Sequence, residues 1–248
     1  AGPGLVQIDL SELDENAVEA LVGAMFHHSA PRLRLARVLW ERSRGNAGLI
    51  SEILRGLVAR GEAVPHEDGS GLVLTISPDD LPLPGSLKAA IADSYRRLPV
   101  ADRAWLKRLA VVGGRIETDF LLVAFPDARR ADVDLVLSRL ARSGWLSPAG
   151  ARFRFTRPAL REAVYRGLSR AERTKLHAAA AAALAPKEGE AVSLDDVFQR
   201  AFHLRSAEDH RGLLPLLPPL LARLFQAGQP QRVHALARWG LAAIDALP

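Results

Sequence analysis

Apolar residues recur at helical spacing through most of the chain, and this pattern predicts a mainly α fold. Near the start, Ser11 is predicted as the N-cap of a first helix whose first turn is acidic. The apolar face of that helix comprises Leu13, Val18, Leu21, Val22 and Met25. A second helix follows Pro31 and ends at Gly45, and Asn46 is predicted to cap a third that ends at Gly61.

β-Structure is predicted in two short segments of this first part. Residues 5–10 alternate like a strand. Residues 62–77 contain the turn cluster EDGSG followed by the β-rich LVLTI, which predicts a small hairpin. The proline-rich residues 79–86 then predict a linker that ends a module near residue 85.

The central part of the chain has the outline of a winged helix. Helices are predicted over residues 86–98, 99–114, 117–125 and 131–143. Residues 144–155 then form a strand, a turn at residues 148–150 and a second strand, with Phe153 and Phe155 on one face. The last three helices followed by a two-stranded hairpin give the winged-helix order, and residues 159–168 add a helix behind it.

The C-terminal part predicts helical hairpins. Ser169 and Glu172 have the S-x-x-E spacing of a capping box, which opens a helix over residues 169–185. Further helices are predicted over residues 195–207, 213–228 and 231–247. One and a half such units do not establish a repeat period. The hairpins are therefore either an interaction surface or a cap on the preceding module.

Composition narrows the class of protein. Hydrophobic residues make up 48% of the 248 residues, enough to bury sizeable cores. The absence of cysteine excludes disulfides, thiolate catalysis and cysteine-ligated zinc, and fits a cytoplasmic protein. No apolar run approaches the roughly 20 residues that a membrane span needs, and the N-terminus lacks the charged region of a signal peptide. The chain also does not begin with Met, so we expect it to be a fragment of something longer.

Charge points to an anionic partner without naming one. The net charge is +5 and the pI about 10.2. Basic side chains concentrate in residues 152–175, which form either an anion-binding face or the solvated side of two amphipathic helices. The second interpretation is favoured by the helical spacing, and it places Arg161, Arg166, Arg170 and Arg173 on the solvated side.

Candidate catalytic and metal-binding groups do not assemble along the sequence. No G-x-S-x-G elbow is present. His27 and His28 are adjacent, and His66 lies in a turn cluster. His203 and His210 are seven residues apart and would lie on one side if a single helix ran through both, but no third ligand completes a tetrahedral set. We therefore expect no metal site and no catalytic activity within this chain.

Four segments together resemble the region that follows the P-loop core in bacterial STAND-type signalling ATPases, which are AAA+-related switches. The segments are ERSRGNAGLISEILRGLVARGEAV, LPGSLKAAIADSYRRLPVADRAWLKRLAVVGG, VLSRLARSGWLSP and RFRFTRPALREAVYRGLSRAERTKLHAAAAAAL. The resemblance covers residues 5–185, with a weaker similarity to TPR-like repeats beyond. It implies a helical lid over residues 1–85, a winged-helix domain over 86–168 and a TPR-like helical region over 169–248.

The resemblance also implies a function. Such a region is the regulatory and protein-interaction module of an ATP-dependent signalling switch. No G-x-x-x-x-G-K-[ST] motif occurs in the chain, so it has no cofactor of its own, and ATP or ADP would be held with an upstream core. Gly45 and Asn46 would be the lid-side contacts with the nucleotide, and Arg157 the wing-side contact. Two positions depart from the family pattern: Ala47 replaces a proline, and Arg157 replaces a histidine.

Two alternatives remain open at this point. The first alternative to a switch module is a free-standing adaptor that binds a partner protein without nucleotide. The second is a winged-helix DNA-binding regulator. A recognition helix presents its N-terminal residues to base edges. Here that end carries Asp132 and Asp134, which phosphates would repel, while Arg139 and Arg142 lie at the far end. We therefore expect a protein partner, no nucleic acid and no membrane.

Overall fold

A computed structural model describes residues 11–27, 30–81, 85–186 and 192–247 of the chain. The described residues are mainly helical, with two short antiparallel hairpins, which confirms the predicted fold class. The predicted strand over residues 5–10 lies outside the described residues. In the described residues, no helix is both long enough and apolar enough for a bilayer crossing.

The chain divides into two compact units, Ala1–Leu98 and Pro99–Pro248. The first unit contains helices α1 Glu15–Met25, α2 Ala30–Ser43, α3 Ala47–Ala59 and α4 Leu87–Arg97, strands β1 Ala63–Pro65 and β2 Leu72–Leu74, and the 3₁₀ helix Pro78–Asp80. Its core comprises fully buried side chains on three helices, namely Val18, Val22, Leu35, Leu39, Ile50, Ile53 and Leu57. Strands β1 and β2 pair in the register Ala63↔Leu74, as the predicted hairpin requires.

The start of α1 differs from the prediction. Asp14, not Ser11, is the N-cap, because its carboxylate accepts a hydrogen bond of 2.7 Å from the Ala17 N–H. Leu13 is not helical, since its N–H donates to the Gly45 carbonyl instead. On the predicted apolar face Val18 and Val22 are buried, whereas Met25 is exposed.

Helix α4 lies within the first unit, although the sequence pattern places a module boundary at residue 85. It packs along α3, and its Ala90 belongs to the same apolar core as Ile50 and Ile53. The unit therefore extends one helix beyond the proline-rich segment.

The second unit contains all remaining elements. They are helices α5 Val100–Val112, α6 Thr118–Ala124, α7 Arg130–Arg142, α8 Pro158–Arg166, α9 Arg170–Ala183, α10 Leu194–Ser206, α11 His210–Leu213, α12 Leu217–Gln226 and α13 Pro230–Asp245, strands β3 Leu146–Ala149 and β4 Arg152–Phe155, and the 3₁₀ helix Leu214–Leu216. Strands β3 and β4 pair in the register Leu146↔Phe155, and Phe153 N–H donates to the Ile116 carbonyl at 2.7 Å. Ile116 lies between α5 and α6, so the hairpin is tied back to the helices that precede it.

The predicted helix over residues 213–228 is interrupted in the structure. A four-residue helix, α11, passes into the 3₁₀ helix Leu214–Leu216 before α12 begins. Pro215, Pro218 and Pro219 lack the amide hydrogens that a continuous α-helix would use, which explains the change of pitch. Helices α12 and α13 then pack as a hairpin around Leu220, Leu224 and Leu236.

The capping box at the start of α9 is confirmed. The Ser169 hydroxyl accepts a hydrogen bond from the Glu172 N–H, and the Glu172 carboxylate accepts one from the Ser169 N–H at 2.9 Å. The other Glu172 oxygen accepts from Lys107 Nζ at 2.6 Å, which ties α9 to α5. The Lys107 contact and the capping bonds hold the pKa of Glu172 at about 2.

We expect Ser169→Ala to destabilise the second unit by about 1 kcal/mol, since one orphan amide at the start of α9 loses its acceptor. Thermal unfolding followed by circular dichroism measures the change. Ser169→Asp is the matched control, because aspartate is also a good N-cap and should retain most of the stability. Equal losses in the two variants would contradict a capping role.

Candidate functional site

Gly45 lies in a sharp turn between α2 and α3 of the first unit. Its φ is +77°, and the preceding Arg44 is also left-handed, with φ +50°. The Gly45 carbonyl accepts from Leu13 N–H at 2.9 Å, while its own N–H donates to Ser43 Oγ at 3.1 Å. A Cβ at this position would lie 2.1 Å from the Leu13 carbonyl oxygen, so only glycine fits. Both backbone polar groups of Gly45, a predicted nucleotide contact, are therefore hydrogen-bonded to residues of the first unit.

Asn46 follows directly and is the N-cap of α3, as its position in the sequence predicts. Its side-chain oxygen accepts from Leu49 N–H at 2.9 Å. Ala47 therefore occupies the first helical position, which a proline holds in the STAND-type ATPases that the sequence resembles. The structure brings Gly45 and Asn46 together at one junction that orients the start of α3.

Arg157, the third predicted contact, belongs to the second unit. It is the residue before Pro158 and the N-cap of α8, and it directly follows the short turn after β4. The side chain is half-buried, and burial lowers the pKa of its guanidinium. The group nevertheless stays charged at neutral pH, as arginine does in proteins. It is thus a partly desolvated cation at the end of the hairpin.

Helix α7, the predicted recognition helix, presents little positive charge on the turns that would meet DNA. Its first turns carry Asp132 and Asp134, and Asp134 accepts from the Thr118 hydroxyl at 2.6 Å. Arg139 is engaged inside the unit, because its Nε donates to both carboxylate oxygens of the buried Asp102 at 3.1 and 3.2 Å. This pair ties α7 to α5, so Arg139 serves the packing of the unit.

A cavity of about 430 Å³ opens in the second unit beside α9, α10 and α13, and we call it the arginine pocket. Its charged and aromatic lining comprises Tyr165, Arg170, Arg173, Arg205, Glu208, His210 and Trp239. Two of these arginines belong to the basic stretch 152–175, which the sequence assigned to a solvated helix face. In the structure Arg170 is exposed and Arg173 partly exposed, which agrees with that interpretation, and both lie beside Arg205 of α10, a residue that no local spacing connects with them.

The arginines of the pocket have different partners. Arg170 makes a two-pronged contact with Glu208, with donor–acceptor distances of 2.7 and 2.8 Å, at the exposed rim. This partner lowers the pKa of Glu208, which is therefore ionised at neutral pH. Arg205 lies over the Trp239 ring at 5.4 Å, and Arg173 over the Tyr165 ring at 5.9 Å.

A buried pair of histidines lies next to this pocket. His177 and His203 are 1% and 3% exposed, and their Nδ1 atoms are 2.8 Å apart. The Tyr165 hydroxyl lies 2.9 Å from the Nε2 atom of His177. Neutral rings satisfy both contacts when Tyr165 donates to Nε2 of His177 and His177 Nδ1–H donates to His203. Two charged imidazoles would place two donors face to face.

The environment of the pair keeps both rings neutral. Burial, followed by the nearby Arg161 and Arg173, lowers the pKa of His177 to about 4. Burial, followed by His177 and Arg161, lowers the pKa of His203 to about 3. His203 and His210 do not share a helix, because α10 ends at Ser206 and His210 begins α11.

A second group of histidines lies in the first unit. His27, His66 and Asp68 could approach one metal ion, and their ligand atoms lie within 4.8 Å of one another. The two imidazole rings are, however, stacked at 4.1 Å and parallel to within 2°, so one ion cannot lie in the plane of both. His66 is also bonded to Asp68 at 2.5 Å, and hydrogen bonds from Ser70 lower the pKa of Asp68. The arrangement is therefore a hydrogen-bonded turn in this structure.

No protein-family model matches the chain, and none of the curated proteins is significantly similar to it.

Proposed function

We propose that the chain is the regulatory and protein-interaction module of a STAND-like, ATP-dependent signalling switch in the cytoplasm. The observation that carries the proposal is the order of elements in the second unit. Helices α5, α6 and α7 precede the β3–β4 hairpin, and β4 is bonded to Ile116 between α5 and α6. This is the order of a winged helix. The flanking helices, α1–α4 before it and α9–α13 after it, correspond to the lid and the TPR-like region of such a switch.

The proposed mechanism is a change of docking driven by nucleotide exchange. ATP or ADP would lie on a P-loop core that is not part of these 248 residues, with Arg157 as a contact from the wing side. A half-buried guanidinium at the end of a hairpin suits this role, because its fork can bind two phosphate oxygens at once. A ligand that binds two arrangements with different affinity shifts the population between them.

The winged-helix region is proposed to dock on protein, not on DNA. The acidic start of α7 would repel phosphates, and Arg139 already binds Asp102. A partner protein tolerates both features. Binding to duplex DNA with a steep loss of affinity at higher salt would contradict this part of the proposal.

A free-standing adaptor is the second candidate, and the Gly45–Asn46 junction favours it. Both residues are used by the fold itself: Gly45 binds Leu13, and Asn46 caps α3. An adaptor of this kind would bind its partner through the helical surfaces alone.

The intact native polypeptide distinguishes the two candidates. Its mass, or its coding sequence, shows whether a P-loop core precedes Ala1. A P-loop there supports the switch, and its absence overturns the switch in favour of the adaptor.

In an intact polypeptide with a core, we expect Arg157→Ala to weaken ADP binding roughly tenfold, since a charge-assisted contact with phosphate is lost. Isothermal titration calorimetry measures the affinity. Arg154→Ala is the matched control, because Arg154 is exposed on β4 only three residues earlier. An ADP affinity unchanged by Arg157→Ala would remove the nucleotide contact from the proposal.

A further inference from the structure

The arginine pocket offers hydrogen-bond donors that the protein does not use. Across the described residues, the Arg173 guanidinium makes no hydrogen bond or ion pair, although it is only partly exposed. Arg205 is exposed and likewise makes no hydrogen bond or ion pair with the described residues; its described contact is with the Trp239 ring. The Nδ1 atom of His210 is buried and has no hydrogen-bond partner among the described protein atoms. A buried polar atom such as this Nδ1 is normally paired.

The net charge of the pocket favours an anionic ligand. Arg170, Arg173 and Arg205 supply three positive charges, and Glu208 supplies one negative charge, so these four side chains together carry +2. A phosphate group carries close to two negative charges at neutral pH and has three strong acceptor oxygens. The guanidinium fork matches phosphate oxygens in a two-pronged geometry. The hydroxyls of Thr174 and Ser206 also line the cavity and can donate to the same oxygens.

The volume of the arginine pocket and its aromatic side chains favour an organic ligand over a free inorganic anion. The volume of about 430 Å³ lies within the range of pockets for small organic ligands. Tyr165, Trp239 and Ala243 supply an apolar wall beside the cations. A phosphorylated small molecule would place its phosphate among the arginines and its carbon skeleton against this wall.

We propose that the arginine pocket is a binding site for a small phosphorylated ligand. The site lies within the second unit and uses none of the three residues assigned to the nucleotide. It therefore does not depend on the proposed switch, and the two can fail separately. Within a switch, this ligand would be a candidate for the sensed signal.

The first experiment titrates the isolated chain with pyrophosphate and follows binding by calorimetry at constant ionic strength. We expect saturable binding that Arg173→Ala and Arg205→Ala each weaken roughly tenfold, the loss of one charge-assisted contact. Arg223→Ala is the matched control, because it removes the same charge from an exposed position on α12 in the same unit. Circular dichroism melts establish that each variant is folded.

A second kind of variant is expected to raise, not lower, the affinity for pyrophosphate. Glu208→Gln removes the negative charge and releases Arg170 from its two-pronged contact. It should tighten pyrophosphate binding by about threefold, whereas any merely structural damage would weaken it.

Three results would overturn the proposal. One is the absence of saturable pyrophosphate binding, and another is an equal loss of affinity in Arg173→Ala and Arg223→Ala. The third is binding of the dicarboxylate succinate as tightly as pyrophosphate, which would remove the preference for a phosphoryl group. Weakening confined to the pocket variants, together with tighter binding by Glu208→Gln, would establish it.

Discussion

Replacing Gly45 by alanine is expected to destabilise the first unit by about 3 kcal/mol or more. Two effects add. Alanine is strained at φ +77°, and its Cβ would lie 2.1 Å from the Leu13 carbonyl oxygen, a distance that no contact tolerates. The segment around Leu13 must then move away, which breaks its hydrogen bond with the Gly45 carbonyl. Urea unfolding measures the loss, and faster hydrogen exchange of the Leu13 amide locates it.

Gly61→Ala is the control that separates the two effects. Gly61 has φ +73° and also follows a helix of the first unit, but a Cβ added there would meet no atom within 4 Å. It should therefore cost only the backbone strain, about 1–2 kcal/mol. Similar losses at both positions would show that the approach of Leu13 adds nothing. The comparison also matters for function, because a loss of nucleotide affinity in Gly45→Ala could arise from a collapsed junction alone.

Acid is expected to unfold the second unit through its buried histidines. Both pKa values lie below the ordinary histidine value of 6.5: His177 at about 4 and His203 at about 3. As the pH falls below 6.5, His177 and His203 become protonated in the unfolded chain but stay neutral in the folded chain. The free energy of unfolding therefore falls between pH 6.5 and about 4, by about 1.4 kcal/mol per pH unit for each ring that stays neutral.

The measurement is denaturant unfolding of the chain at several pH values between about 7 and 4.5, followed by tryptophan fluorescence. Three of the four tryptophans, Trp105, Trp145 and Trp239, lie in the second unit, so most of the emission reports on it. His203→Gln should flatten the pH dependence, since it removes one of the titrating groups. His234→Gln is the control, because His234 is exposed on α13. An unchanged slope in His203→Gln would show that the pair titrates normally.

Acidic side chains lose their stabilising effect at lower pH than the histidines do. The contributions of the two kinds of group to the free energy of unfolding can therefore be separated. Lys107 and the capping bonds lower the pKa of Glu172 to about 2, and Arg108 lowers that of Asp127. For these groups the stabilisation is complete above their unfolded pKa values of about 4 and is lost only below them. The histidine slope should thus be visible above about pH 4.5, before the carboxylates contribute.

Features that depend on neighbouring residues could be predicted well. Asn46 as a cap, the Ser169–Glu172 capping box and both hairpin turns depend on side-chain oxygens and turn residues within a few positions of each other. Helical periodicity likewise identified the buried Val18 and Val22. The error at the start of α1 has a tertiary cause: Leu13 binds Gly45, so the helix begins only after Asp14.

The arginine pocket and the histidine pair could not be predicted in this way. Arg173 and Arg205 have the spacing of an exposed helix face, and nothing local indicates that they line the same cavity. The spacing of His203 and His210 would place them on one side of a single helix, but a helix end intervenes, and the neighbour of His203 is His177 from a distant segment. Contacts between distant segments depend on how helices pack, and periodicity carries no information about that.

The sequence by itself determined the helical class, the places of the hairpins and the caps at Asn46 and Ser169, because these follow from the spacing of apolar residues and from local hydrogen bonding. Only the tertiary structure decided which charges meet. It places Arg139 on the buried Asp102, Arg170 on Glu208, and the donors of Arg173 and Arg205 in one cavity. The physical reason is that a side chain's partners, and therefore its burial and its pKa, are set by segments that lie far away along the chain.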